Sequence, residues 1–437
     1  MRDTYIAGVG MTRFGKYPEA NIRTLAEEAV SEALKDANVE AKDIQSVFFS
    51  NGAAGILTGQ EMIRGQVALR NTGLLGKPII NVENACASAS TALYLARLAV
   101  ASEQVDVAMA IGSEKLTHID KSKSYGALGA AVDLLLFGDL IKSLSKKSDE
   151  AKVQDPNKNG STEKGGGSDS GGGSGSGGGS GSGGGSGSGG GGHSPFMDIY
   201  AAWAREYMNR SGATKEDFAR VAVKSHYNAS LNPKAQYQNI VTLEEVLNSR
   251  AISDPLTMLM CAPIGDGAAC VIVASNKWMQ SKGLPLVKIR SSIVISGTDR
   301  QINESGVTVK ASALAYEEAG ISPQDIDVVE LHDAAAPAEL ITYEELGLCA
   351  EGDGVKLLTS GDTSLGGRIP VNTSGGLLSK GHPIGATGCA QIVELADQLR
   401  GRAKDRQVEN AKVALAENGG GFLGTDAAAM AITILSK

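Results

Sequence analysis

The chain repeats part of itself, and that repeat constrains its fold more than any other feature. Ala37-Asn38-Val39 followed by Asp43-Ile44-Gln45-Ser46-Val47 returns 282 positions later as Ala319-Gly320-Ile321 followed by Asp325-Ile326-Asp327-Val328-Val329. In both copies an amphipathic helix ends near Asn or Gly, residues that enter the left-handed conformation at least cost. An acidic residue then precedes a buried strand. Ser88 to Ala96 matches Gly385 to Val393 more loosely, with small residues first and an apolar helix after. Each copy next has a strand, Val105 to Ile111 and Lys412 to Ala416. Each strand is expected to run into a glycine-bearing loop, Gly112-Ser113-Glu114 and Gly419-Gly420-Gly421. Strands alternating with helices, twice over, specify two α/β halves with mixed or parallel sheets. Small residues opening the two middle helices imply close packing there. A pseudo-twofold axis then brings their N-termini together, so residues distant along the chain share one pocket.

Two segments at those helix starts carry chemistry. The run Gly375 to Gly388 places His382 at a glycine-rich turn opening into an apolar helix, Cys389 to Leu399. Asn84-Ala85-Cys86-Ala87-Ser88-Ala89-Ser90 places Cys86 before the other middle helix. A helix N-terminus is partly positive and has free backbone N–H groups. It lowers a thiol pKa and offers donors to an oxyanion. Covalent acyl chemistry follows, with His382 as base for Cys86 or as donor to a carbonyl oxygen. His332 lies just past the predicted strand Asp327 to Leu331, where α/β sites assemble. Two segments read as pocket walls. One is Met258 to Ala269, a loop with a turn at Asp266-Gly267 entering the strand Ala269 to Ala274. The other is Gly419-Gly420-Gly421, whose bare backbone lets a ligand approach. His118, His193 and His226 have no comparable setting and are expected on the surface or in loops.

The bulk composition removes other classes. The 437 residues suffice for two or three domains and a large core. A net charge of -8 argues against nucleic acid as a partner. Lys142, Lys146 and Lys147 read as a solvated face. No apolar run approaches the roughly 20 residues of a membrane span, and the N-terminus does not read as a signal peptide. Cys86, Cys261, Cys270, Cys349 and Cys389 are odd in number and widely spaced, which fits neither a disulfide framework nor a zinc site. A cytoplasmic protein with no metal is expected. Residues 165–192 repeat glycine and serine with a single Asp169, and such a tract is a flexible coil. Its regularity fits a linker or a replaced loop better than natural low-complexity sequence. Order is expected to resume at Ser194-Pro195, before a helix from Met197 to Met208.

The segments NACASAS, MCAPIGDGAA, ELHDAAAPAEL and SKGHPIGATG together resemble the thiolase superfamily. The His332-Asp333 pair is similar to that of the sterol-carrier-protein branch and its archaeal and anaerobic bacterial relatives. The resemblance implies an α/β, five-layered α-β-α-β-α thiolase fold, usually dimeric. By it, residues 1–119 with 246–280 form the N-terminal half. Residues 120–245 form an inserted loop domain carrying much of the coenzyme A and acyl-chain site, and 281–437 form the C-terminal half. Cys86 matches the acylated nucleophile, His382 the histidine that activates it, and His332 a group binding the thioester oxygen. Gly419 matches the oxyanion-hole N–H that acts with that of Cys86, and Gly420 follows it in the same loop.

The implied reaction is cleavage of a 3-oxoacyl-CoA by coenzyme A, or the reverse Claisen condensation. Coenzyme A enters as substrate, with no other cofactor. A bulky aromatic acyl group such as that of benzoylsuccinyl-CoA is one candidate. A homodimer and a small zinc-ribbon/OB-fold partner subunit are the implied partners. One departure stands out. Glu417-Asn418 occupies the place of the second cysteine of common thiolases, and Ala334 that of the cysteine the sterol-carrier branch can carry. The second acid/base is then His332 or Glu417, with His332 favoured. Two rival readings are a decarboxylating ketoacyl-synthase-type enzyme, and a non-catalytic acyl-CoA-binding subunit of the same fold.

Overall fold

A computed structural model describes residues 1–136, 138 and 196–437. The glycine-serine tract, Lys142, Lys146, Lys147, His193 and Ser194-Pro195 lie outside the described residues. The strands are β1 (Thr4–Met11), β2 (Ser46–Ser50), β3 (Ile79–Val82), β4 (Val107–Lys115), β5 (Ala251–Ser253), β6 (Leu256–Thr257), β7 (Asp266–Ser275), β8 (Lys288–Ser296), β9 (Val328–Glu330), β10 (Val413–Leu423) and β11 (Asp426–Ser436).

The duplication reappears as one pairing scheme used twice. In the first half β2 runs parallel to β3 and β4, β4 antiparallel to β7, and β7 antiparallel to β1. In the second half β9 runs parallel to β10 and bridges in parallel to Val371, β10 is antiparallel to β11, and β11 to β8. The two halves meet edge to edge where Tyr5 pairs with Lys288. The helix stops also repeat. Asn38 at φ 51° follows the helix Ile22–Asp36, and Gly320 at φ 65° follows the helix Val307–Ala319. Both are the left-handed ends expected from Asn and Gly.

Strand alternation assigns each face its layer. On β7, Ala268, Cys270, Ile272 and Ala274 join a core with the helix Ile22–Asp36. Ala269, Val271 and Val273 join a second core with the helices Ser88–Ala101 and Thr387–Leu399. Those two central helices touch each other and strands of both halves, and the helix Val307–Ala319 covers the outer face of β8 and β11. The result is the expected five-layered α-β-α-β-α thiolase fold. The helices Phe196–Ser211 and Lys215–Ser230 pack on the helix Ala336–Glu345.

Three expectations need correction. The two glycine loops are strand: β4 continues to Lys115 and β10 to Leu423, because Gly112 pairs with Ala269 and Gly419 with Met430. Asp266-Gly267 is the start of β7 rather than a turn, since it pairs with Lys115 and Glu114. His226 is buried on the helix Lys215–Ser230. It stacks on Tyr237, and its Nδ1 lies 3.0 Å from Asn239 O.

The central contact is tight. A Cβ on Gly388 would stand 2.0 Å from Ser90 Oγ and 2.5 Å from Ser90 N. Gly388→Ala therefore wedges the two central helices apart. Its clash outweighs the helix-propensity gain, and stability should fall by roughly 1–3 kcal/mol in chemical denaturation. A variant as stable as the parent would show that the helices do not approach this closely.

Candidate active site

Cys86 sits on a short 3₁₀ turn, Ala85–Ala87, leading into the helix Ser88–Ala101. The turn is held in an uncommon shape. Ala85 has φ 48°, a left-handed value that residues other than glycine adopt only under constraint. Glu83 Oε1 accepts Ala85 N–H at 2.6 Å, and Ser88 Oγ accepts Asn84 N–H at 2.9 Å while donating to Ala85 O at 2.6 Å. Gly420 closes on this turn from β10. A Cβ there would lie 2.2 Å from Asn84 O and 2.6 Å from Ala87 N.

His382 reaches the site on the loop before the helix Thr387–Leu399, and that loop is anchored in the other half. Gly385 N–H donates to Glu114 Oε2 at 3.1 Å, and Ser50 Oγ donates to Gly385 O at 2.7 Å. His332 follows β9, where Asn372 Oδ1 accepts Leu331 N–H and Glu417 Oε2 accepts His332 N–H, both at 2.8 Å. The sulfur of Cys86 and one nitrogen from each of His332 and His382 lie within 4.8 Å of one another. The two imidazoles meet edge to face, with centroids 5.0 Å apart.

These groups form the floor of a cavity of about 450 Å³ that also takes in Glu417, Gly419, Gly420, Gly421 and Ala334. The Gly421 N–H and the Cys86 N–H are the backbone donors at the thiol. Phe196, Tyr200, Trp203 and Phe422 build one wall, Phe422 lying 5.3–5.6 Å from each of the other three rings. Lys16, Lys121 and Arg250 stand exposed at the rim.

Burial dominates the electrostatics. It pushes the Cys86 thiol up to about 12, against the pull of the two N–H donors. It pushes His332 down to about 4, and His382 well below its usual value, aided by His332 and Lys380. Glu417 rises to about 8, burial again leading, with the His332 N–H opposing and Glu345 adding. The resting site is therefore thiol and neutral imidazoles, with a protonated carboxyl at neutral pH. The low thiol pKa expected at a helix start is overridden by desolvation.

The profile of the thiolase N-terminal domain matches residues 4–145, and that of the thiolase C-terminal domain-like family matches residues 296–436. The chain belongs to the thiolase family. It is similar to the acetyl-CoA acetyltransferase of Methanothermobacter thermautotrophicus, 35% identical over 98% of both chains. It shares 35% identity with human sterol carrier protein 2, over 96% of this chain and 70% of that one. It also shares 35% with the benzoylsuccinyl-CoA thiolase subunit BbsB of Thauera aromatica, over 93% and 92%. Among solved structures, the Ltp2-ChsH2(DUF35) aldolase aligns at a TM-score of 0.70 and 26% identity, over 99% of this chain and 97% of that one. Human mitochondrial 3-ketoacyl-CoA thiolase aligns at 0.66 and 16%, over 100% and 99%, a likeness of fold.

Cys86, His332, His382, Glu417, Gly419 and Gly420 all line this one cavity, and the sequence reading had singled out each of them. It missed Asn418 beside His332, Thr387 beside His382, and Glu114 behind the His382 loop. Glu114 left a signal as a charged residue at the end of an apolar strand. Asn418 and Thr387 left none, because their partners are distant or depend on the loop's path.

A neutral resting thiol has a kinetic signature. The logarithm of the rate of Cys86 alkylation by iodoacetamide should keep rising with pH from 7 to 10, because the thiolate fraction grows tenfold per unit below a pKa near 12. A plateau starting near pH 7 would contradict this and reveal a resting thiolate.

Proposed function

We propose that the chain is a thiolase that cleaves a 3-oxoacyl-CoA with coenzyme A through an acyl-enzyme on Cys86, and that also runs the reverse Claisen condensation. The observation that carries this is the convergence of Cys86, His332 and His382 within 4.8 Å on the floor of one cavity.

As the sulfur attacks the 3-oxo carbon, His382 takes the Cys86 proton. The alkoxide is received by the Cys86 N–H and the glycine-rich end of β10. Collapse breaks the carbon–carbon bond, and its electron pair moves into the enolate of the departing acyl-CoA. The enolate oxygen accepts hydrogen bonds from His332 and His382. Glu417 protonates the enolate carbon, since burial keeps its carboxyl protonated up to about pH 8. Glu417, now a carboxylate, takes the proton of the coenzyme A thiol as its sulfur attacks acyl-Cys86. The carbon–sulfur bond to Cys86 breaks, the Cys86 thiolate takes back the proton held by His382, and the shortened acyl-CoA leaves. His332 was the favoured second acid/base on sequence. With His332 held down to about 4 and neutral, it serves better as a donor, and the proton transfer falls to Glu417.

The exposed Lys16, Lys121 and Arg250 suit the phosphates of coenzyme A. The four-ring wall suits a bulky aromatic acyl group of the benzoylsuccinyl kind. Ile80 on the edge strand β3, with nearby Met62 and Ile63, is exposed and suits a homodimer. A small zinc-ribbon/OB-fold partner subunit is in keeping with two similar proteins, the Ltp2-ChsH2(DUF35) aldolase and BbsB, which is named a thiolase subunit.

Coenzyme A-dependent cleavage of acetoacetyl- and aroylacetyl-CoA tests this. Cys86→Ala should abolish cleavage. His332→Ala should lower kcat by roughly 10²–10³, the cost of one lost oxyanion donor. Glu417→Gln should remove the limb of the pH profile near 8. A Cys86→Ala protein that cleaves at the parent rate would overturn the proposal.

A further inference from the structure

The two imidazoles share a cavity, but their outer nitrogens have opposite kinds of partner. His382 Nδ1 lies 2.7 Å from Thr387 Oγ1. That hydroxyl also donates to Pro383 O, four residues back, at 3.1 Å. A hydroxyl has one proton to give. With that proton on Pro383 O, the ring must be the donor, so Nδ1 carries hydrogen and Nε2 keeps its lone pair. At His332 the order reverses. Ser90 Oγ donates to Asn418 Oδ1 at 2.8 Å, which turns the Asn418 amide nitrogen toward His332 Nδ1 at 2.9 Å. An amide NH₂ only donates. His332 Nδ1 must accept, and the neutral ring then carries its hydrogen on Nε2.

We propose that Thr387 and the Ser90–Asn418 pair are positioning residues that fix the two histidines as opposite neutral tautomers. His382 is the Nδ1–H form with a basic Nε2, and His332 is the Nε2–H form with a permanent donor. The fixing groups come from both central helices and β10, so the division of labour is built by the contact between the halves. Two chemically identical rings thereby receive different roles: one takes the thiol proton, and the other faces the substrate oxygen. This deepens the thiolase reading and rests on it for its kinetic consequence. The tautomers themselves are properties of the resting protein.

Long-range ¹H–¹⁵N NMR of the full chain, labelled at histidine, reads the tautomers directly, with His332→Gln and His382→Gln assigning the signals. The expected spectrum has a protonated Nδ1 and bare Nε2 for His382, and the reverse for His332. Asn418→Asp replaces the donor at His332 Nδ1 by an acceptor. It should move the His332 proton to Nδ1 and lower kcat by on the order of 10²–10⁴ with KM little changed. Thr387→Val should release His382 from its form, and Thr387→Ser should restore it. If Asn418→Asp does not fold, Ser90→Ala frees the same amide to turn and gives the same readout. Two rings in one tautomer, or a His332 spectrum unmoved by both variants, would overturn the proposal. The expected spectrum in a protein without thiolysis would instead count against the thiolase reading alone.

Discussion

The contact between the two central helix starts is the constraint on which the rest of the structure depends. Ser90 and Gly388 touch there with no room for a Cβ, and Gly420 closes equally tightly on the turn that carries Cys86. Gly112 and Gly385 make a third such approach, where a Cβ on Gly112 would stand 1.9 Å from Gly385 O. Each contact joins one half of the duplication to the other. Cys86 belongs to the first half and both histidines to the second, so their cluster exists only while these approaches hold. Backbone groups meet directly at these points, which leaves little freedom for the relative height of Cys86 and His382.

Burial then decides what the assembled groups can do. A thiol near 12 and imidazoles held neutral mean that charge appears only as the reaction proceeds. Donors aimed at that developing charge act in a medium of low dielectric, where each is worth more than in water. The same burial raises Glu417 to about 8, which leaves its carboxyl protonated at neutral pH.

Much of this was legible in the sequence. The repeat around Val47 and Val329 foretold two matched halves, and the small residues around Ser88 and Gly385 foretold a close middle. Cys86, His332 and His382 stood out because each sits at the end of a strand or the start of a helix. The errors have physical causes. Gly419-Gly420-Gly421 reads as a loop from composition, but strand pairing continues through Gly420, and Gly421 alone turns left-handed at φ 64°. His226 has no flanking signal because its burial comes from Tyr237 and Asn239, supplied by the following segment. Asn418 and Ser90, 328 residues apart, become partners only after both halves are folded. The thiol pKa was misjudged because a helix start was weighed without the desolvation that burial of Cys86 adds.

The central claim is that Cys86 carries the acyl group between the two half-reactions. Rapid-quench mass spectrometry of the protein mixed with an aroylacetyl-CoA, in the absence of free coenzyme A, tests it most directly. The account predicts an aroyl mass increment confined to the peptide bearing Cys86, appearing with release of acetyl-CoA and discharged when coenzyme A is added. Release of acetyl-CoA with no increment on that peptide, or an increment on another residue, would contradict it.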